Sequence, residues 1–126
     1  MELNPEVDLE VDIHNLTEEF RKLSLTLYRY TTKRAGISAQ RDLAKAKLKE
    51  TRAMVYKRTK SDITKKHTEN SLEAEIDTDP EVMDAHRKFI RAEHDASTWD
   101  GAVDSMKAKK DVLIQLGSDR RKEIGQ

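Results

Sequence analysis

The stretch PEVMDAHRKFIRAEHDASTWDGAVDSMKAKKDVLIQLG, residues 80–117, decides the fold. Val82, Ala85, Phe89, Ala92, Ala96, Trp99, Val103, Met106, Lys110 and Leu113 recur in it at alternating spacings of three and four, and only Lys110 breaks the apolar rule. That period is the seam of a coiled-coil-like helix, here of about 35 residues or ~50 Å at 1.5 Å per residue. Such a helix buries its stripe in a small domain only against a second long helix, from the same chain or a neighbouring one. Asp79 ahead of Pro80 predicts its start, a side-chain cap followed by proline at the first helical position. Leu116-Gly117-Ser118 predicts its end, with residues 118–126 as a frayed tail, and Gly101 predicts a kink or a close helix contact.

A second stripe, core or subunit contact, lies upstream. Leu16, Phe20, Leu23, Leu27 and Tyr30 follow one another at four, three, four and three, again one stripe of a helix. Asn15 and Glu18 read as the capping box that opens it. Gly36 is a candidate terminus, with Ser38 capping a further helix, and continuation through Gly36 is the alternative. Further on, Thr68 is expected to open a short helix that uses Leu72 and Ile76. Ahead of Asn15, Val7, Leu9, Val11 and Ile13 alternate with Asp8, Glu10 and Asp12, which predicts a half-buried strand or extended acidic arm without an evident partner in the chain. The expected fold is mainly all-α, with long helices in coiled-coil-like packing, a short N-terminal extended segment, and assembly as a homo-oligomer. Its expected divisions are an arm at 1–14, a basic helical region at 15–66, a polar connection at 67–79, the long helix at 80–117, and the tail. The core or subunit contacts are Leu16, Phe20, Leu23, Leu27, Val82, Phe89, Trp99, Val103, Met106 and Leu113.

Composition narrows the function. The chain has 126 residues, 36% hydrophobic and 38% charged, with two prolines, four glycines and no cysteine. A mean hydropathy of −0.86 and the lack of a long apolar run exclude a membrane span. The acidic start lacks the basic and apolar segments of a secretory signal, so a cytoplasmic protein is expected. Without cysteine there is no disulfide framework and no thiolate site.

The 24 bases and 24 acids cancel overall but not locally. Residues 1–20 hold seven acids and no Lys or Arg, a net of −7. Residues 21–66 hold fifteen bases against three acids, a net of +12, and residues 67–126 carry the remaining −5. Charge sorted this way speaks about partners. At about 100° per residue, Lys45, Lys49, Arg52 and Tyr56 all fall within about 80° of Arg41, with Lys60 following, while Ala44, Leu48, Thr51 and Val55 form an adjacent apolar stripe. Cations that neutralise successive phosphates, together with an aromatic ring, suit single-stranded nucleic acid without sequence readout. The candidate DNA-binding residues are Arg41, Lys45, Lys49, Arg52, Tyr56, Lys57, Arg58 and Lys60. A solvated helix face is the competing reading, as is neutralisation by the acidic arm or by the acidic stretch from Glu69 to Asp84 within an oligomer.

Other chemistry has no positive signal. His86 and His94 stand roughly 80° apart around a helix and no third ligand is fixed by spacing, so no metal is expected. Asp77 and Asp79 read as turn and cap. The glycines match no phosphate-cradling loop, and no arrangement of nucleophile and base stands out, so neither cofactor nor catalysis is expected.

Three segments carry a resemblance, in order along the chain: Val11-Asp12-Ile13-His14-Asn15-Leu16 leading into a helix with Leu27-Tyr28; Leu48-Lys49-Glu50-Thr51-Arg52 followed by Tyr56; and Gly101-Ala102-Val103-Asp104-Ser105-Met106-Lys107-Ala108-Lys109. Together they resemble the phage recombination mediator proteins of the UvsY type. A one-residue insertion in the second segment puts Lys49 and Arg52 in the places of that family's basic pair. The resemblance implies a non-catalytic accessory factor that forms a ring-like homo-oligomer, binds single-stranded DNA, weakens the hold of single-strand-binding protein and helps load a RecA-like recombinase. The alternative of another class is a coiled-coil scaffold or adaptor whose basic helix engages an acidic protein.

Overall fold

The computed structural model describes residues 2–62, 64 and 66–124. Four helices follow in order among them: α1 (Pro5–Asp8), α2 (Leu16–Lys60), α3 (Glu69–Thr78) and α4 (Pro80–Ile124), with no strand. Residues divide into two compact units, unit 1 of Met1–Gly36 with Ser97–Gln126 and unit 2 of Ile37–Ala96. In each, a stretch of α2 lies antiparallel to a stretch of α4. No helix is long and apolar enough to cross a membrane.

The core of unit 1 is a heptad seam. Leu16, Leu23 and Tyr30 of α2 are buried with Val103, Met106 and Leu113 of α4, and Leu27, Trp99 and Leu116 are half-buried against them. Phe20 lies at the seam's edge, 38% exposed. Each fully buried side chain of this size contributes roughly 1.5–3 kcal/mol of transfer free energy. The Tyr30 and Trp99 ring centroids are 5.8 Å apart at an interplanar angle of 49°. In unit 2, Val55 of α2 meets Leu72 and Ile76 of α3 and Val82 of α4, with Leu48 and Tyr56 packed alongside. Ala85 and Ala96 are also buried on α4, and Phe89 is half-buried.

The strand expected at residues 7–13 does not form. Pro5 at the first position of α1 pre-sets a helical φ, and the Asp8 and Leu9 amides donate to the Asn4 and Pro5 carbonyls at 2.8 and 2.9 Å. With no neighbouring strand to complete a ladder, the arm is satisfied by α2 and α4 instead. Leu3, Leu9 and Val11 pack on the unit 1 core while Val7 and Ile13 are left exposed. The Tyr30 hydroxyl donates to Asp8 Oδ2 at 2.6 Å, and the Lys109 ammonium donates to the Asp8 carbonyl at 2.6 Å and pairs with Glu19 at 2.9 Å. The capping box is half made: Asn15 Oδ1 accepts from the Glu18 amide at 3.4 Å, but Glu18 turns to Arg21 and Lys22.

Two glycines expected to stop helices lie inside them. α2 runs through Gly36, and no glycine has a positive φ among the described residues. α4 runs past Gly117 to Ile124, so Leu116-Gly117-Ser118 is not a stop. A Cβ at Gly117 would stand 3.4 Å from Phe20 Cε2, in van der Waals contact with the ring. Gly125 and Gln126 of the expected tail, and Lys65 of the basic block, lie outside the described residues. Local signals elsewhere coincide with helix ends: Thr68 Oγ1 accepts from the Ser71 amide at 3.1 Å to open α3, and Asp79 Oδ1 accepts from the Glu81 amide at 2.9 Å to open α4.

A Cβ at Gly36 meets nothing within 4 Å, so Gly36→Ala should stabilise the fold by about 0.5–1 kcal/mol in a denaturant titration. Burial, and then the bond to Asp8, pushes the Tyr30 phenol above its ordinary value of 10.0. The folded state therefore holds this proton more tightly than the unfolded chain, and the associated stability is present below about pH 10 and lost as pH rises. The stability advantage of the wild type over Tyr30→Phe should accordingly be constant up to about pH 9 and shrink as the pH is raised past about 10.

Candidate nucleic-acid interface

The basic residues of unit 2 are displayed because the opposite face of α2 is occupied. Thr51 and Val55 are buried and Ala44 and Leu48 half-buried, so the rigid helix turns Lys45, Lys49, Lys57, Arg58 and Lys60 outward. Thr51 satisfies its hydroxyl by donating to the Lys47 carbonyl at 2.8 Å. Arg41 and Arg52 are half-buried.

These cations differ in what they face. Arg52 donates to Asp77 Oδ1 at 2.7 Å, and Arg58 reaches Asp79 at 3.2 Å and Glu81 at 3.3 Å. Arg41 lies 3.4 Å from the neighbouring Asp42. Acidic residues of the Glu69 to Asp84 stretch thus meet the basic block within one chain, a contact the sequence pattern anticipated only between chains. Among the described residues, Lys45, Lys49 and Lys57 are exposed with no carboxylate paired to them. They form an open cationic row on α2.

Tyr56, a candidate stacking surface by its place in the basic arc, is packed, as a tyrosine on a helix more often is. It is half-buried against the Val55, Leu72, Ile76 and Val82 cluster. The Lys60 ammonium lies 5.4 Å from its ring centroid and donates to its hydroxyl at 3.2 Å, which holds Lys60 above the usual lysine pKa. The tyrosine therefore fixes a cation in place. Asp77, Asp79 and Glu81 join the site by partnering its arginines, a relation that no short-range spacing announces because Arg52 and Asp77 are 25 residues apart.

The pairs are weak and exchangeable. Arg52 and Asp77 keep 42% and 60% of their side-chain surface in solvent, a setting in which an ion pair contributes up to about 1 kcal/mol. A phosphate offers the guanidinium an equal or better bidentate partner. Among the described residues no group of three or more His, Asp or Glu side chains is arranged to hold a metal ion.

No protein-family model, curated protein or solved structure matches the chain.

A double-mutant cycle over Arg52→Ala and Asp77→Ala should give a coupling below about 1 kcal/mol that fades as salt is raised. A coupling that persisted at high salt would make the pair a structural fixture and remove Arg52 from any exchange with phosphate.

Proposed function

We propose that this chain is a non-catalytic, single-stranded-DNA-binding recombination mediator that helps load a RecA-like recombinase onto strands covered by single-strand-binding protein. It acts in the cytoplasm, the host's if a phage encodes it. The observation that carries the DNA contact is the cationic row on α2, where Lys45, Lys49, Lys57 and Lys60 point outward and Arg52 is restrained only by an exposed pair. Mediation and the recombinase and single-strand-binding partners rest on the resemblance of residues 11–16, 48–56 and 101–109. The reading requires no chemistry of the chain itself, since the recombinase supplies ATP hydrolysis.

Self-assembly belongs to the same reading. Leu43 and Met54 on α2 are 70% and 51% exposed, and Met83 and Ile90 on α4 are 41% and 50% exposed. Apolar side chains of this size at a small core's edge favour contact with further copies. A homo-oligomer, a ring in the proposed form, would repeat the row and bind through many weak contacts.

A second reading draws on Tyr56. Because that ring is packed and capped by Lys60, the row also suits a carboxylate-rich protein, and the chain would then be a scaffold or adaptor.

Fluorescence anisotropy with a labelled oligothymidine separates the two. DNA binding should weaken steeply with salt, log K falling by about 0.7 per neutralised phosphate in log salt. Lys45→Glu with Lys49→Glu should weaken it about ten-fold or more without dissolving the oligomer. Absence of binding at low salt, with tight binding of polyglutamate, would select the adaptor.

A further inference from the structure

We propose that unit 1 carries a second contact for single-stranded nucleic acid, a groove in which Tyr28 and Trp99 hold an unpaired base while Lys33 and Arg29 meet its phosphates. This deepens the reading above and rests on it, but uses different residues.

The groove has a volume of about 590 Å³ and lies between the start of the chain, at Leu3, and the face of α2 that bears Tyr28, Arg29, Thr32 and Lys33, with Trp99 of α4 in its wall. That volume is in the ordinary range for small-ligand sites, about 300–1,000 Å³. Tyr28 is 68% exposed, a large aromatic ring left in water beside a core with few large apolar residues. Trp99 serves two sides. One part of the indole packs near Tyr30 in the core, and the half-buried remainder lines the groove. The Lys33 ammonium stands over the indole, 5.7 Å from its centroid, as Lys60 stands over Tyr56, so a base reaches Trp99 as Lys33 turns from the ring to the adjoining phosphate.

Helical spacing explains the arrangement. Tyr28 and Thr32 are one i, i+4 pair on α2, and Arg29 and Lys33 are another, so ring and hydroxyl run beside two cations. Stacking accepts any base, a hydroxyl serves either donor or acceptor edges, and the cations suit the adjoining phosphates. A duplex keeps its base faces stacked and would leave the rings unused. An acidic peptide would use the cations but has no need of two rings. Glu2, ahead of α1, adds a carboxylate to the groove's lining.

Trp99 is the chain's sole tryptophan and reports on the groove directly. The full-length protein is titrated with oligothymidine, reading anisotropy of a labelled strand in one series and tryptophan emission with an unlabelled strand in the other. Emission should be quenched over the same concentration range in which anisotropy rises. Tyr28→Ala should weaken binding about ten-fold and diminish the quench, and Tyr28→Phe, which keeps the ring, should restore both. Lys49→Glu should weaken binding yet leave the quench intact at saturation. If anisotropy rises while emission is unchanged and Tyr28→Ala binds like the wild type, the groove proposal is overturned and the α2 row stands. If anisotropy does not rise at all, both readings fall. Emission that shifts with protein concentration alone, without oligonucleotide, would assign the groove to contact between copies and overturn the proposal.

Discussion

A helix whose apolar residues recur at three and four offers a narrow seam, and such a seam is stable only against another of the same kind. In unit 1 that requirement sets Leu16, Leu23 and Tyr30 among Val103, Met106 and Leu113. In unit 2 it is met with more help, because α3 adds Leu72 and Ile76 where α2 and α4 contribute little beyond Val55 and Val82. With the inward faces committed, the remaining surface of each helix is released for charge. The rigidity of the backbone then determines which cations stand side by side.

The long-range periodicities were legible in the residues, as were the local caps. Three-four spacing from Val82 to Leu113 needed no context to read as helix, and Thr68 and Asp79-Pro80 marked helix starts through side-chain chemistry that acts over three residues. Two kinds of feature were not legible. Alternation from Val7 to Ile13 describes only which side chains share a face, and a strand also needs a neighbour, which this chain lacks among its described residues. Gly36 and Gly117 carry the local preference of a terminus, worth about 1 kcal/mol, and packing on both sides of each position outweighs it. The candidate site divides in the same way: its cations were visible as a helix face, while the partners of Arg52 and Arg58 and the covering of Tyr56 depend on α3 and α4 arriving there.

The overall neutrality of the chain acquires a physical meaning from those partners. Basic and acidic blocks separated along the sequence meet in unit 2 through the exposed pairs of Arg52 with Asp77 and Arg58 with Glu81, and in unit 1 through Lys109, whose side chain is largely buried between Glu19 and the Asp8 carbonyl. The two settings differ in strength. An exposed pair surrenders its cation readily to another anion, whereas Lys109, lifted from water, would leave buried polar groups without partners if it were displaced. Cancellation of charge is therefore loose where the cationic row lies and firm where the arm is fastened.

The division of the chain also has a consequence for the order in which it folds. Unit 2 is one uninterrupted segment, and its ion pair from Arg52 to Asp77 closes a loop of 25 residues. Unit 1 is assembled from both ends, and its bond from Lys109 to the Asp8 carbonyl spans 101. Loop closure costs more for the longer span, and during synthesis Val103, Met106 and Leu113 emerge only after the whole of unit 2. Loop-closure entropy thus favours the contacts of unit 2, the segment that carries much of the chain's positive charge, over those of unit 1 in the order of folding.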